Sequence, residues 1–159
     1  MNSREKQIKA NLGLNINRSL LAVCFTIFVL IITLSPKLFS NFVLVTIQLT
    51  IAIPLLLSSI LAKTKAVSTK KYELWDSYGF ITFLLGYSFL INVVGIILSK
   101  TLGLKFGLTF LGANIAISIL YFLVELLEDK TKLRSKLKKN IFFIALIVLG
   151  GILPSVGIY

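Results

Sequence analysis

Residues 78–124 read YGFITFLLGYSFLINVVGIILSKTLGLKFGLTFLGANIAISILYFLV, two apolar runs, 78–99 and 102–124, separated only by Lys100 and Thr101. Each exceeds the ~20 residues with which a helix crosses a ~30 Å hydrocarbon layer at ~1.5 Å per residue. Neither holds a carboxylate. A surface helix of a soluble domain shows a polar face. These runs are apolar around most of their circumference, so their surroundings are lipid or other helices. Outward from this pair, residues 41–62 and 141–159 have the same character, and residues 19–35 form a shorter run that just reaches across. The fold class is all-α: a polytopic transmembrane helical bundle of five spans, preceded by a basic segment, 1–18.

Composition agrees with that reading. The 159 residues are 57% hydrophobic with six Asp and Glu, and mean hydropathy is +0.94, which leaves too little polar surface to coat a soluble globule. Residues 19–159 therefore read as one membrane domain.

The basic residues alternate between the two sides of the spans. Four precede the first, four lie between the second and third, and six lie between the fourth and fifth, whereas only Lys37, Lys100 and Lys105 fall on the other side. Short loops rich in Lys and Arg stay cytoplasmic, so the N-terminus is expected inside and the C-terminus outside, in a multi-pass protein of the cell membrane. This asymmetry also accounts for the net charge of +11. No nucleic-acid motif accompanies the charge, and nucleic acid is not an expected partner. The bilayer is. Lys130, Lys132, Arg134, Lys136, Lys138 and Lys139 crowd one loop, where they are candidates for contact with anionic lipid headgroups.

Local signals place the boundaries. Ile8, Leu12 and Ile16 recur at spacing four and predict a short interfacial helix, weakened by Gly13 and Asn15. The run that follows lacks a small-residue cleavage pattern and reads as a signal anchor. Pro36 disfavours helix at Ser35, so residues 36–40 turn the first span into the second, and residues 100–103 do the same for the third and fourth. Asp76 or Ser77 is expected to cap the third span. Trp75, Tyr72 and Tyr78 occupy the place of an interfacial aromatic belt. The fourth span is expected to continue as helix beyond the membrane, where Glu128 precedes Lys132 by four residues. Shifting the chain by 64 residues sets Leu20, Phe25, Ile32 and Ser35 among others on identical residues, a pattern expected of a repeated hairpin with an unpaired fifth helix.

Catalytic classes are narrowed by what is missing. The chain has no histidine, its one methionine is Met1, and its one cysteine, Cys24, cannot form an intrachain disulfide and reads as a small core residue. The carboxylates Glu5, Glu73, Asp76, Glu128 and Asp129 fall at the aqueous ends of the spans, so no intramembrane acid pair is at hand. Neither catalysis nor a cofactor or metal is expected of this chain.

Polar character inside the spans remains. Gly107, Leu111, Asn114, Ser118, Tyr121 and Glu125 alternate at spacings of four and three, which puts them on one face of the fourth helix. That stripe is either a wetted path toward the cytoplasm or a seam for helix packing. Gly103 with Gly107, and Gly112 with Ala116, add small-xxx-small spacing. On the third span Ser88, Asn92, Gly95 and Ser99 share a face, and on the second Asn41, Gln48, Ala52 and Ser59 do. Gln48 and Asn92 lie at matching depths and are candidates to pair. Pro54 and Pro154 are candidate kinks, because a proline leaves the carbonyl four residues before it without a donor. The expected function is transport of an ion or small solute by an oligomer, and the alternative is a non-conducting accessory or assembly subunit that binds another membrane protein. The charge asymmetry makes a direct prediction. A reporter fused after Tyr159 should read as external and one inserted at Thr69 as internal, and an internal C-terminus would remove one of the five spans.

Overall fold

The computed structural model describes residues 3–34, 43–69, 72–128 and 133–157. Every element among them is helical: α1 (Ser3–Leu34), α2 (Val43–Ser68), α3 (Tyr72–Thr101), α4 (Leu104–Glu128) and α5 (Leu133–Ile147), the last followed by a π-helical turn (Val148–Ile152) and a short α6 (Leu153–Val156). Five stretches are long and apolar enough to cross a membrane: Asn11–Leu30, Val43–Ala66, Tyr72–Thr101, Leu104–Leu127 and Lys136–Val156. The protein is a multi-pass helical membrane protein. Its contacts fall into two units, Met1–Leu90 and Ile91–Tyr159, divided inside α3.

In the first unit α1 packs along α2, and Cys24 of α1 and Val45, Leu49, Ala52 and Leu56 of α2 are fully buried. Small residues set how closely α3 approaches α2. A Cβ on Gly86 would lie 2.9 Å from Leu56 Cγ and 3.3 Å from Ala52 O, and one on Gly79 would lie 3.2 Å from Ala62 Cβ. Such contacts gather dispersion energy that longer side chains would forfeit by holding the backbones apart. Basic residues close the helices: Lys65 in the last turn of α2 and Lys100 in that of α3 both oppose the negative end of the helix dipole.

In the second unit the turn from α3 to α4 is as short as a helical hairpin allows. Leu102 N donates to Leu98 O, Phe106 N donates to Gly103 O, and Gly103 supplies the positive φ of 111° that reverses the chain. The seam beyond the turn is closer still. A Cβ on Gly107 would fall 1.7 Å from Ser99 Oγ and 2.5 Å from Gly95 O, while one on Gly95 would fall 2.6 Å from Leu111 Cγ. Further along, Pro154 can offer no N–H to Gly150, and its ring crowds that carbonyl. The helix widens into the π-turn just before it, where Leu153 N donates to Val148 O, and Ser155 Oγ bonds Gly151 O at 2.7 Å.

Several local expectations are revised. Residues 3–34 form one continuous helix through Gly13 and Asn15, with its apolar span at Asn11–Leu30 and not at 19–35, since the ~1 kcal/mol cost of one glycine does not break it. Asp76 lies inside α3, more than a turn past its start, and its carboxylate pairs with Lys63 of α2 instead of capping. Residues 133–140 open α5 and do not extend α4. The 36–40 turn, Asn41 and the Glu128–Lys132 pair lie outside the described residues and side chains.

These contacts set a packing test. Gly107→Val should destabilise the protein by about 1–3 kcal/mol through overpacking, read as earlier thermal unfolding in detergent. Gly112→Ala should be nearly neutral, since nothing lies within 4 Å of the added Cβ.

Candidate functional site

A buried serine joins three helices in the first unit. Asn17 Nδ2 of α1 donates to Ser59 Oγ at 2.8 Å, and Ser59 Oγ donates to Gly79 O of α3 at 2.6 Å. Thr82 Oγ1 adds a bond of 3.2 Å to the same carbonyl. Gly79 makes this possible, since the absent side chain lets the α2 hydroxyl reach a main-chain oxygen already engaged in the helix. Asn17 and Ser59 are 2% and 0% exposed. In hydrocarbon each would cost several kcal/mol without a partner, and here each partners the other.

One turn nearer the basic end, the Lys63 ammonium pairs with the Asp76 carboxylate, while beside Ser59 the Ser58 Oγ shares a 2.8 Å hydrogen bond with Tyr78 Oη. The ion pair is partly exposed, so solvent screening holds its worth to about 1 kcal/mol or less. Trp75 stands edge-on to Tyr78 at 6.2 Å and carries Lys65 Nζ 5.3 Å above its ring. On the same helices, Gln48, Ala52 and Ser59 of α2 are buried.

In the second unit the amide of Asn92, fully buried, donates from Nδ2 to Leu146 O at 3.0 Å, just ahead of the π-turn. Its Oδ1 packs against Gly151, where a Cβ would come within 2.6 Å. Ser88, Gly95 and Ser99 share its buried face.

The stripe on α4 divides into parts. Gly107 and Leu111 meet α3. Asn114, half-buried, donates to Phe110 O on its own helix at 2.9 Å, and Ser118 Oγ donates to Asn140 Oδ1 of α5. Tyr121 points outward, 70% exposed. Glu125 is half-buried, and its main-chain carbonyl accepts from Lys136 Nζ at 2.9 Å. Among the basic candidates Arg134, Lys138 and Lys139 are exposed on the first turns of α5, while Lys130 and Lys132 lie outside the described residues.

Asn17, Asn140 and the Lys63–Asp76 pair are contributors that a reading of the spans passes over. Asn17 had a signal, lying four residues from Gly13 and seven from Cys24, the spacing of one helix face. Asn140 had none, because it ends a basic run. Comparison with known proteins finds no matching family model, no matching curated protein and no matching solved structure.

The serine junction generates a coupling prediction. A double-mutant cycle over Asn17→Ala and Ser59→Ala should give a coupling of about 0.6 kcal/mol and no more than ~1.7 kcal/mol, measured by unfolding in mixed micelles. Thr50→Ala should be close to neutral, because Thr50 Oγ1 only bonds back to Thr46 O at an exposed position.

Proposed function

We propose that this chain is a non-conducting membrane interaction subunit, an accessory or assembly protein that engages another membrane protein, or a second copy of itself, through its helix faces. The observation that carries the reading is the Ser118 to Asn140 hydrogen bond, which commits the middle of the α4 stripe to α5 of the same chain. Gly107 and Leu111, at one end of that stripe, are committed to α3. A path for ions needs those groups turned to water, whereas a scaffold needs them spent on neighbours. The faces left for partners are those of α1 and α4, whose spans have only 11% and 6% of their residues buried.

In this proposal the protein lies in the cell membrane with its basic loops inside. Arg134, Lys136, Lys138 and Lys139, with Lys130 and Lys132 of the same run, hold the inner end against anionic headgroups. Transport by an oligomer is the second reading, and it draws on the half-exposure of Asn114 and Glu125 along one face.

Thiol accessibility separates the two. In a Cys24→Ser background, cysteines at Asn114 and Ser118 should stay unreacted toward a small charged thiol reagent, as should those at Ile115 and Ile119, while one at exposed Arg134 reacts. Liposomes holding the protein should show no flux that Glu125→Gln changes. Reaction at Asn114 and Ser118 but not at the two isoleucines, with Ser118 the faster, would establish the transport reading instead.

A further inference from the structure

The first unit carries a groove of about 550 Å³ between α2 and α3, within the range of small-ligand sites. Its composition is ordered along the helix axis. Lys65 and Trp75 line the end where α2 finishes and α3 begins, Leu61, Ala62 and Leu74 supply apolar lining, and Ser58 and Tyr78 lie further along the helices, Ser58 seven residues or roughly 10 Å from Lys65 along α2. The two hydroxyls bond each other at 2.8 Å, so that pair offers a ligand no polar atom left without a partner.

We infer that this groove binds one anionic phospholipid, with the phosphate at Lys65 and an acyl chain along Leu61, Ala62 and Tyr78. Charge complementarity comes first. Of the two lysines on this turn, Lys63 is committed to Asp76, whereas among the described residues Lys65 has no carboxylate partner and is held over the Trp75 indole, within cation–π range. The indole fixes the ammonium at the mouth of the groove and leaves it charged toward an anion. Second, Leu61 and Leu74 are 64% and 63% exposed. A soluble anion would leave both uncovered, and an acyl chain covers them. Third, cation above, hydrocarbon below is the vertical order of a phospholipid at an interface, and tryptophan is the residue that favours that depth. The inference rests on the membrane character of the chain and not on its being an interaction subunit.

Trp75 is the only tryptophan, so its fluorescence reports this groove alone. The 159-residue protein is reconstituted in phosphatidylcholine vesicles containing, over the same series of mole fractions, either acyl-brominated phosphatidylglycerol or acyl-brominated phosphatidylcholine, whose bromines quench indoles on contact. The anionic lipid should reach half-quenching at an about fivefold lower mole fraction, the preference expected from one lysine near an anionic group. Lys65→Gln should abolish that preference, Lys65→Arg should retain it, and Lys105→Gln, at an exposed position of α4, should leave it unchanged. The inference is overturned if both lipids quench alike, if Lys65→Gln keeps the preference, if inorganic phosphate relieves the quenching and so marks a site for a free anion, or if Trp75 is shielded from both lipids by a protein partner. None of these outcomes depends on the thiol accessibility of α4, so the two proposals fail separately.

Discussion

A polar group inside hydrocarbon has no water to fall back on, and the arrangement of these helices follows from where such groups find partners. Ser59 shows the constraint at its tightest. One hydroxyl accepts from Asn17 and donates to the Gly79 carbonyl, so α1, α2 and α3 meet at a point set by hydrogen-bond lengths and not by apolar packing alone. The second unit solves the same problem differently. There Asn92 turns to a main-chain carbonyl of α5, and Ser118 turns to Asn140. Single bonds of this kind average only ~0.6 kcal/mol in membrane proteins, so they select a register more than they supply stability.

Stability is supplied by close approach, which the small residues permit. Lipid tails are as apolar as leucine, so burying leucine against leucine gains little, and contact between backbones gains more. Gly79 and Gly86 do this in the first unit and Gly95 and Gly107 in the second. Polar and small residues are interleaved along the same faces: Ser88, Asn92, Gly95 and Ser99 are all buried on α3. At α5 a proline adds its own demand. Pro154 removes a donor, the π-turn widens the helix ahead of it, and Gly151 keeps the Asn92 side chain's place against that turn. Asn92, Gly151 and Pro154 therefore form one device, although they are far apart in the chain.

The five spans are legible in the sequence because hydropathy sums over some twenty residues and tolerates local error. Their ends are not legible. Gly13 and Asn15 read as weakening a short N-terminal helix, yet one glycine costs only ~1 kcal/mol and α1 runs through both into the span. Asp76 reads as a cap because Asp caps helices well, but its partner Lys63 is thirteen residues away, and cross-helix pairing is invisible to local pattern. The faces of α2 and α3 were visible in the spacing of Gln48, Ala52 and Ser59 and of Ser88, Asn92 and Gly95. What each polar atom bonds was not. Leu146 O becomes the partner of Asn92 next to a π-turn, an irregularity that no period of 3.6 residues announces.

The interior and the surface of this protein obey opposite rules, and that opposition locates recognition. Inside, Asn17, Ser59, Ser118 and the Asn92 Nδ2 have partners on neighbouring helices, and Gly79, Gly86, Gly95 and Gly107 are filled by them, although Asn92 Oδ1 and Ser99 Oγ are buried without a hydrogen-bond partner among the described residues. Outside, apolar side chains such as Leu120, Val124 and Leu127 of α4 are open to whatever surrounds them. A uniformly apolar exterior distinguishes nothing, because any lipid tail satisfies it. Discrimination requires a charge or hydroxyl beside that apolar surface, at a depth where both can be used at once. The Lys65 and Trp75 corner meets that condition in the first unit: Trp75 anchors the cation while Leu61 and Leu74 remain open beneath it. If the groove binds an anionic lipid as proposed, its selectivity comes from this corner, where a cation stands beside open apolar side chains.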